Sequence, residues 1–501
     1  MPGTGRADRD VGVPDGAPIG ADIGDFYAAG IEAPNMTDYR TESDSLGEME
    51  VPADAYWGAQ TQRAVENFPM GGDRFGRRFV RALGVVKKAA ALANADLGVL
   101  PEDAADAIVE AAEEVIAGEH DDQFPVDVFQ TGSGTSTHMN ANEVIANRAS
   151  EILGEPVGSK AVHPNDDVNF GQSSNDVIPT AMHVAALEAV KGDVIPALET
   201  LREELAAKET AFDDVVKTGR THLQDATPIT LGQEFSGYRS QVEKGIERVE
   251  ATTDSLAELA LGGTAVGTGL NTHPEFPERA AAHIAAETDL PFREADNHFE
   301  AQAAHDAMAE AHGALKVVAG SMNKVANDLR LLASGPRNGF GEIDQPENQP
   351  GSSIMPGKIN PVVAEAVNQV HKRVVGNDAT ISYGATEGQV DLNLYKPVIA
   401  QDFLDSAELI ANGAEAFAET FVAKLEADRK TCREQVERSM ALATALNPAI
   451  GYDAASKVAK QALAEGKTVR EVAIEEGYLT AEEADEVLDP ARMTERGILG
   501  D

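Results

Sequence analysis

Four short segments of the chain are rich in hydroxyl, amide and imidazole side chains, which bind and deprotonate small carboxylic acids. Each segment is expected to lead into a helix, and free backbone N–H groups at a helix N-terminus attract anions. Because Ser, Thr and Asn are also ordinary N-caps, one such segment alone would indicate only a helix start. The four together predict a carboxylate-binding site. They are Thr131–Glu143, His163–Asp176, Gly219–Ala226 and Gly351–Pro361.

The fourth segment shows this chemistry most clearly. Asn360-Pro361 has the form of an N-cap followed by proline at the first helical position. Lys358 precedes that cap by two residues, so its ammonium would lie beside the positive end of the following helix. A Gly/Asn/Pro-rich run at 335–350 comes before it and is expected to be flexible enough to close over a ligand.

His222, in the third segment, has one candidate acidic partner, Glu365, just after the fourth segment. A carboxylate can orient an imidazole and tune its proton affinity. A single histidine is more often structural than catalytic, so the spacing alone leaves both roles open.

The composition excludes several classes of protein. The 501 residues include 84 acidic and 41 basic side chains, for a net charge of −43, which disfavours nucleic acid as a partner. No apolar run approaches the ~18 residues that a membrane span needs. The single cysteine, Cys432, fits a reducing cytoplasm and cannot support an iron–sulfur cluster. Neither a metal site nor a cofactor is predicted. The charge excess indicates adaptation to a salt-rich cytoplasm, where screening reduces self-repulsion.

From about residue 80 the sequence is helical in character, and three stretches have apolar residues spaced by three and four. Such stripes predict long helices that pack side by side, with oligomerisation through the bundle. The stripes are Leu187, Val190, Val194, Leu198, Leu201 and Leu205; Phe235, Tyr238, Val242, Ile246 and Val249; and Met308, Ala311, Leu315, Val318, Met322, Val325, Leu329 and Leu332.

The run Gly351–Pro361 resembles the signature of the aspartase/fumarase superfamily, and the other three segments resemble its substrate-site segments in the same order. Asn447–Tyr452 resembles the C-terminal domain of its class II fumarate hydratases, the metal-free family that the chain resembles most from Met36 onward. This resemblance implies an all-α, three-domain fold with a central five-helix bundle. It further implies a homotetramer with a twenty-helix core and active sites that each draw on three chains.

The expected organisation has four parts. Residues 1–35 lack any periodicity and are expected to be a disordered leader, unless translation starts at Met36. Residues 36–172 are assigned to an N-terminal lyase domain, 173–429 to the central helical bundle, and 430–501 to a small helical C-terminal domain.

The resemblance also implies a reaction, the reversible hydration of fumarate to (S)-malate through an enediolate-like intermediate. Ser352 would be the base, Thr221 and His222 would lie at the substrate, and Glu365 would hydrogen-bond to His222. The donor to the leaving hydroxide would be His222, either directly or through a water. Lys358 and Asn360 would hold one carboxylate; Ser133, Thr135, Ser173, Ser174 and Asn175 would bind the remaining groups; and His163, Asn165 and Asp166 match a second, outer anion site.

Two alternatives and two departures accompany this interpretation. Aspartate ammonia-lyase is the nearest alternative activity, but Ser174 favours a fumarate hydratase because aspartases tend to have threonine there. A catalytically silent structural protein is disfavoured because every predicted polar role is filled. His138 stands where many relatives have a smaller amide, and Lys160 takes the place of an arginine expected to line the outer anion site.

Overall fold

The computed structural model describes residues 38–497, so the predicted leader at 1–35 lies outside the described residues. Helices dominate the described part of the chain, which confirms the all-α class. They are α1 (Ala59–Asn67), α2 (Arg77–Asp96), α3 (Glu102–Ala117), α4 (Thr135–Ile152), α5 (Ser174–Ala189), α6 (Ile195–Ala211), α7 (Leu231–Glu250), α8 (Thr253–Leu256), α9 (Phe276–Thr288), α10 (His298–Ala303), α11 (Asp306–Leu332), α12 (Val362–Thr386), α13 (Lys396–Thr420), α14 (Arg429–Glu437), α15 (Asn447–Ile450), α16 (Tyr452–Glu465), α17 (Val469–Glu475) and α18 (Ala481–Val487).

The strands are short and pair only two at a time. Three of the four pairs are antiparallel, and the pair β5–β6 is parallel. They are β1 (Tyr39–Asp44), β2 (Gly47–Pro52), β3 (Val216–Thr221), β4 (Gln224–Thr230), β5 (Glu258–Leu259), β6 (Arg293–Glu294), β7 (Ile343–Asp344) and β8 (Glu426–Ala427).

The three apolar stripes form the interior of a central bundle, as predicted. Every stripe residue is buried, and the helices α6, α7, α11, α12 and α13 pack against one another as the five-helix bundle expected from the resemblance. At 1.5 Å per residue, the 27 residues of α11 span about 40 Å. The first stripe crosses a π-helical turn at Val190–Val194, which joins α5 to α6 and which the spacing did not predict.

Two separate apolar cores stabilise the described chain. The larger core extends from Phe75 to Cys432 and includes both α2 and the central bundle. The smaller core extends from Val436 to Leu488 and involves α16 and α17. The N-terminal and central parts therefore share one core, and the domain boundaries at 172/173 and 429/430 stay predictions.

The third polar segment differs from expectation, because it forms a hairpin and does not lead directly into a helix. Thr221 on β3 pairs with Gln224 on β4, which leaves His222 and Leu223 as a two-residue loop with φ of 57° and 60°. Positive φ at both positions is the geometry of a type I′ turn. The next helix, α7, begins only after β4, where the Thr230 hydroxyl accepts a hydrogen bond from the backbone N–H of Gln233 at 3.0 Å.

Candidate active site

Three of the predicted substrate-binding hydroxyls form one continuous chain of hydrogen bonds. The Ser133 and Thr135 hydroxyl oxygens are 2.7 Å apart, and the Thr135 and Ser174 hydroxyl oxygens are 2.8 Å apart. Because α4 begins at Thr135 and α5 at Ser174, these contacts join the N-termini of two helices. Two positive helix ends lined by hydroxyl groups are suited to a carboxylate ligand.

Ser173 and Asn175 lie beside this cluster, in the first turn of α5. The Ser173 hydroxyl accepts a hydrogen bond from the backbone N–H of Asn175 at 3.2 Å and so caps the helix. The Asn175 side-chain amide donates to the carbonyl of Ala265 at 2.8 Å. The structure thus brings the five substrate-binding residues predicted from the first two segments to one place.

Asp176 anchors this corner of the molecule although it is completely buried. Its carboxylate accepts hydrogen bonds from the backbone N–H groups of Ser173, Gly262 and Thr264, each at 2.9 Å. Burial raises the pKa of Asp176 to about 6, while these three donors oppose the shift. The carboxylate therefore ties the loop at 262–264 to the start of α5.

Two completely buried lysines, Lys87 on α2 and Lys396 on α13, lie near Asp176. Burial lowers the pKa of each lysine to about 7, and the negative charge of Asp176 opposes that shift in both cases. The resulting cluster has two ammonium groups for one carboxylate, directly behind the predicted substrate-binding residues.

His138, the residue that departs from the expected amide, belongs to the same buried cluster. Its Nε2 lies 2.9 Å from the Lys87 ammonium, which also donates to the side-chain oxygen of Gln172 at 2.8 Å. Burial and the positive charges of Lys87 and Lys396 hold the pKa of His138 well below its usual value. A neutral imidazole can accept the Lys87 hydrogen bond, so the substitution still supplies an acceptor for that lysine.

The fourth segment folds into a closed loop around Ser352. The Ser352 hydroxyl oxygen accepts hydrogen bonds from the backbone N–H groups of Ile354 at 3.3 Å and Met355 at 3.0 Å. The Gly351 N–H donates to the carbonyl of Lys358 at 3.0 Å and closes the loop. The loop therefore directs two N–H donors at the oxygen of the predicted base.

Asn360 is not the N-cap that the sequence suggested, since α12 begins at Val362 and its N-terminus has no side-chain cap. The Asn360 side-chain oxygen instead accepts a hydrogen bond from the Lys358 ammonium at 2.6 Å. Its amide donates to the carbonyl of Gly351, also at 2.6 Å. Both ends of the amide are thus occupied, and the contact with Lys358 keeps these two predicted carboxylate ligands side by side.

Lys358 and Glu365 line a cleft of about 720 Å³ at the C-terminal end of α11. Arg330, near the end of that helix, lies 3.9 Å from the Glu365 carboxylate and donates to the Asn368 side-chain oxygen at 2.7 Å. The cleft is large enough for a dicarboxylate, and two cationic side chains, Lys358 and Arg330, line it together with Glu365.

Thr221 and His222 lie at the exposed tip of the β3–β4 hairpin. Arg220, the residue before Thr221 on β3, fixes the hairpin near its tip by donating to the buried Glu342 carboxylate at 2.6 Å. Among residues 38–497, no hydrogen bond joins His222 to Glu365. The expected contact between these two residues is therefore absent within the described part of a single chain.

The predicted site residues of one chain lie at opposite ends of the bundle. The hydroxyl cluster adjoins the segment Asn393–Lys396, and the Asn393 N–H donates to the carbonyl of Gln302, just before α11. Lys358 and Glu365 lie at the other end of α11, which spans about 40 Å. No small ligand can contact both groups within one chain.

The residues of the predicted outer anion site lie together on the N-terminal part of the chain. His163 Nδ1 accepts hydrogen bonds from the backbone N–H groups of Asn165 at 3.2 Å and Asp166 at 3.1 Å. His163, Asn165 and Lys160 line one cleft of about 210 Å³. Lys160 thus lines the predicted outer anion site, where an arginine was expected.

The comparisons with known proteins identify the family. Residues 47–376 match the family model described as a lyase, and residues 442–495 match the model of the fumarase C C-terminus. The class II fumarate hydratase of Halobacterium salinarum is 76% identical over 92% of this chain and 98% of its own length. That of Nitrosomonas europaea is 56% identical over 92% of this chain and all of its own. The chain belongs to the class II fumarate hydratases.

Solved structures of this family have the same fold. The class II fumarase of Schistosoma mansoni superposes with a TM-score of 0.89 at 41% identity, covering 91% of this chain and 99% of its own. A fumarate lyase/delta crystallin of Brucella melitensis, crystallised with cobalt, gives 0.89 at 47% identity, covering 92% of this chain and all of its own. Fumarate hydration, not aspartate deamination, is the activity these relatives support. Between residues 38 and 497, none of the helices combines the length and apolar composition that crossing a membrane would require.

Several charged residues at the site of this fumarate hydratase were not assigned a role from the sequence: the buried Lys87, Asp176 and Lys396, and the partly exposed Arg330. One signal was available for Lys396. Proline at position 397 marks the start of a helix, where a lysine is unfavourable next to the positive helix end. The burial of Lys87 and the contacts of Arg330 depend on tertiary packing and left no comparable pattern.

Proposed function

We propose that the chain catalyses the reversible hydration of fumarate to (S)-malate in the tricarboxylic acid cycle, without a metal, through a site built from its polar segments. The observation that carries this proposal is the loop at 351–361, in which two backbone N–H groups donate to the Ser352 hydroxyl and the Lys358 ammonium is held by Asn360. In the malate-to-fumarate direction, Ser352 removes the proton from C3. His222 then donates a proton to the departing hydroxide, either directly or through a water.

Serine is a weak base unless its oxyanion is stabilised. The N–H groups of Ile354 and Met355 lie 3.3 Å and 3.0 Å from the Ser352 oxygen, and they favour its deprotonated form. The same donors would continue to hold the hydroxyl in position after it takes up the C3 proton. This arrangement supports Ser352 as the general base.

Proton removal from C3 places a further negative charge on the neighbouring carboxylate, which becomes enediolate-like. Lys358, aligned by Asn360 at 2.6 Å, supplies a positive charge for that group. The second carboxylate is assigned to the hydroxyl cluster of Ser133, Thr135 and Ser174, at the N-termini of α4 and α5.

We infer that the complete active site is shared between copies of the chain in a homotetramer. The support is the position of the hydroxyl cluster and the Lys358 cleft at opposite ends of α11, a helix about 40 Å long, together with the exposed position of His222. Each site would combine the hydroxyl cluster of one chain, the Ser352 loop of a second and the His222 hairpin of a third. Glu365 would then meet His222 across an interface.

Two further assignments complete the proposal. His163, Asn165 and Asp166, with Lys160, form an outer anion site that holds a dicarboxylate on its way to or from the catalytic centre. A reducing, salt-rich cytoplasm is the proposed location, since the one thiol, Cys432, is buried and the net charge is −43.

The activity itself is tested by incubating the purified protein with malate or with aspartate and following the absorbance of fumarate. We expect fumarate to form from malate and not from aspartate, because Ser174 stands where aspartases tend to have threonine. Formation of fumarate from aspartate at the faster rate would assign the chain to the ammonia-lyases instead.

Ser352→Ala is expected to reduce turnover by roughly 10²–10⁴-fold, the usual contribution of a positioned general base. Ser353→Ala, which removes the neighbouring exposed hydroxyl of the same loop, is the matched control and should leave turnover nearly unchanged. Retention of more than a third of the activity by Ser352→Ala would show that another group is the base.

Shared active sites predict complementation between two inactive variants. Ser352→Ala and Thr135→Val are expected to be nearly inactive alone, but a mixed tetramer has some sites with both native residues. Random assortment of two chains per site should restore roughly a quarter of the native activity after unfolding and refolding the mixture. No recovery in mixed tetramers, confirmed by mass spectrometry of the assemblies, would place both residues of each site in one chain.

Activity and assembly are expected to increase together as salt rises from dilute buffer to molar KCl. The screening length falls from ~10 Å at 0.1 M to ~3 Å at 1 M, which weakens both the repulsion between chains and the exclusion of an anionic substrate. Malate turnover and light scattering across a KCl titration, with and without EDTA, provide the measurement. A fully active tetramer in dilute buffer would contradict the prediction.

A further inference from the structure

Lys396 is a buried lysine in a position that opposes a positive charge. The side chain is completely buried, and Lys396 is the first residue of α13, where the helix dipole disfavours a positive group. Among residues 38–497, the hydrogen bond that its ammonium makes is to the carbonyl of Asn175, at 3.4 Å. An ammonium has three donors, so this one is poorly satisfied for a buried charge.

The backbone around Lys396 holds the two loops that carry the substrate-binding groups. Its N–H donates to the carbonyl of Gly132 at 3.2 Å, while its ammonium contacts the start of α5 at Asn175. Leu394, two residues before Lys396, packs closely against Gly132. A Cβ atom at position 132 would overlap the Leu394 carbonyl oxygen. Lys396 therefore contacts the residue before Ser133 and the residue after Ser174, so it joins the two segments that carry the hydroxyl cluster.

The charges around Lys396 do not balance within the protein. Asp176 attracts Lys396, but it also attracts Lys87, and both lysines are completely buried. His138, the remaining titratable group in contact with Lys87, is held neutral by burial and by the two lysines. When both lysines are protonated and Asp176 is ionised, these buried groups together have one uncompensated positive charge close to the hydroxyl cluster.

We propose that Lys396 is a positioning residue for the hydration reaction, whose buried charge is compensated by the bound dicarboxylate. It holds the Gly132 and Asn175 loops in register and places a positive potential behind the carboxylate that the hydroxyl cluster binds. The charge of that ligand, and the further charge of the enediolate-like intermediate, offset the cost of burying the ammonium. This inference rests on the proposed function of the hydroxyl cluster.

The test is Lys396→Met, which keeps the length of the side chain and removes its charge. We expect kcat and kcat/KM each to fall roughly 10- to 100-fold, because the lost interaction strengthens as the intermediate forms. Lys460→Met, at an exposed position on α16, is the matched control and should leave both constants unchanged. Thermal unfolding of both variants identifies any loss of folded protein, and Lys396→Gln provides a second neutral variant.

Inhibitor charge separates an electrostatic role from general loosening of the loops. Succinate has two carboxylates, whereas its monoamide, succinamate, has the same length and one charge. We expect Lys396→Met to weaken inhibition by succinate at least several-fold more than inhibition by succinamate. Equal weakening of both, or unchanged kinetics in a folded variant, would overturn the inference. An inactive native enzyme would instead contradict the proposed function, so the two failures are distinguishable.

Discussion

The carboxylate of Asp176 is the contact on which the end of the bundle with the predicted substrate-binding residues depends. It is buried, yet it accepts hydrogen bonds from three backbone N–H groups, each at 2.9 Å. One donor is the nearby Ser173, and the other two, Gly262 and Thr264, lie 86 and 88 residues further along the chain. Two buried lysines, Lys87 and Lys396, are both attracted to its charge, and Lys396 contacts the Asn175 carbonyl. Removal of this carboxylate would leave three buried donors without a partner and take away the negative charge near two buried lysines, which costs far more than loss of a single surface ion pair.

This arrangement explains how a chain with a net charge of −43 can attract a dicarboxylate. The acidic side chains are spread along the whole chain, where solvent and salt screen them. The positive groups instead lie where water is excluded: the N-termini of α4 and α5, and the ammonium of Lys396 behind them. Electrostatic interactions are stronger in such a low-dielectric setting. A few buried charges can therefore determine the local potential against a much larger screened excess.

The sequence predicted the parts of the fold that depend on local periodicity. The stripes from Leu187 to Leu332 specified the bundle helices, because burial of an apolar face requires that spacing. The hydroxyl cluster was predicted from small polar residues before α4 and α5. The type I′ hairpin was not, since His222 and Leu223 give no glycine signal for positive φ. The prediction that Asn360 caps α12 was wrong, because its side-chain oxygen accepts a hydrogen bond from Lys358 instead. That contact depends on the geometry of the loop, which the Asn-Pro pattern does not specify.

The hairpin at His222 relates the long helices of the bundle to the proposed chemistry. Left-handed conformations at two residues with side chains are energetically unfavourable and persist only where the surrounding structure imposes them. Here the ion pair between Arg220 and the buried Glu342 fixes β3 just before the turn, while the turn itself is exposed. The His222 imidazole is therefore held at the surface, away from the core of its own chain. In the proposed active site shared between copies of the chain, an exposed turn at the surface of a bundle of 40 Å helices would present His222 to the groups of a neighbouring chain, where proximity and orientation favour the reaction.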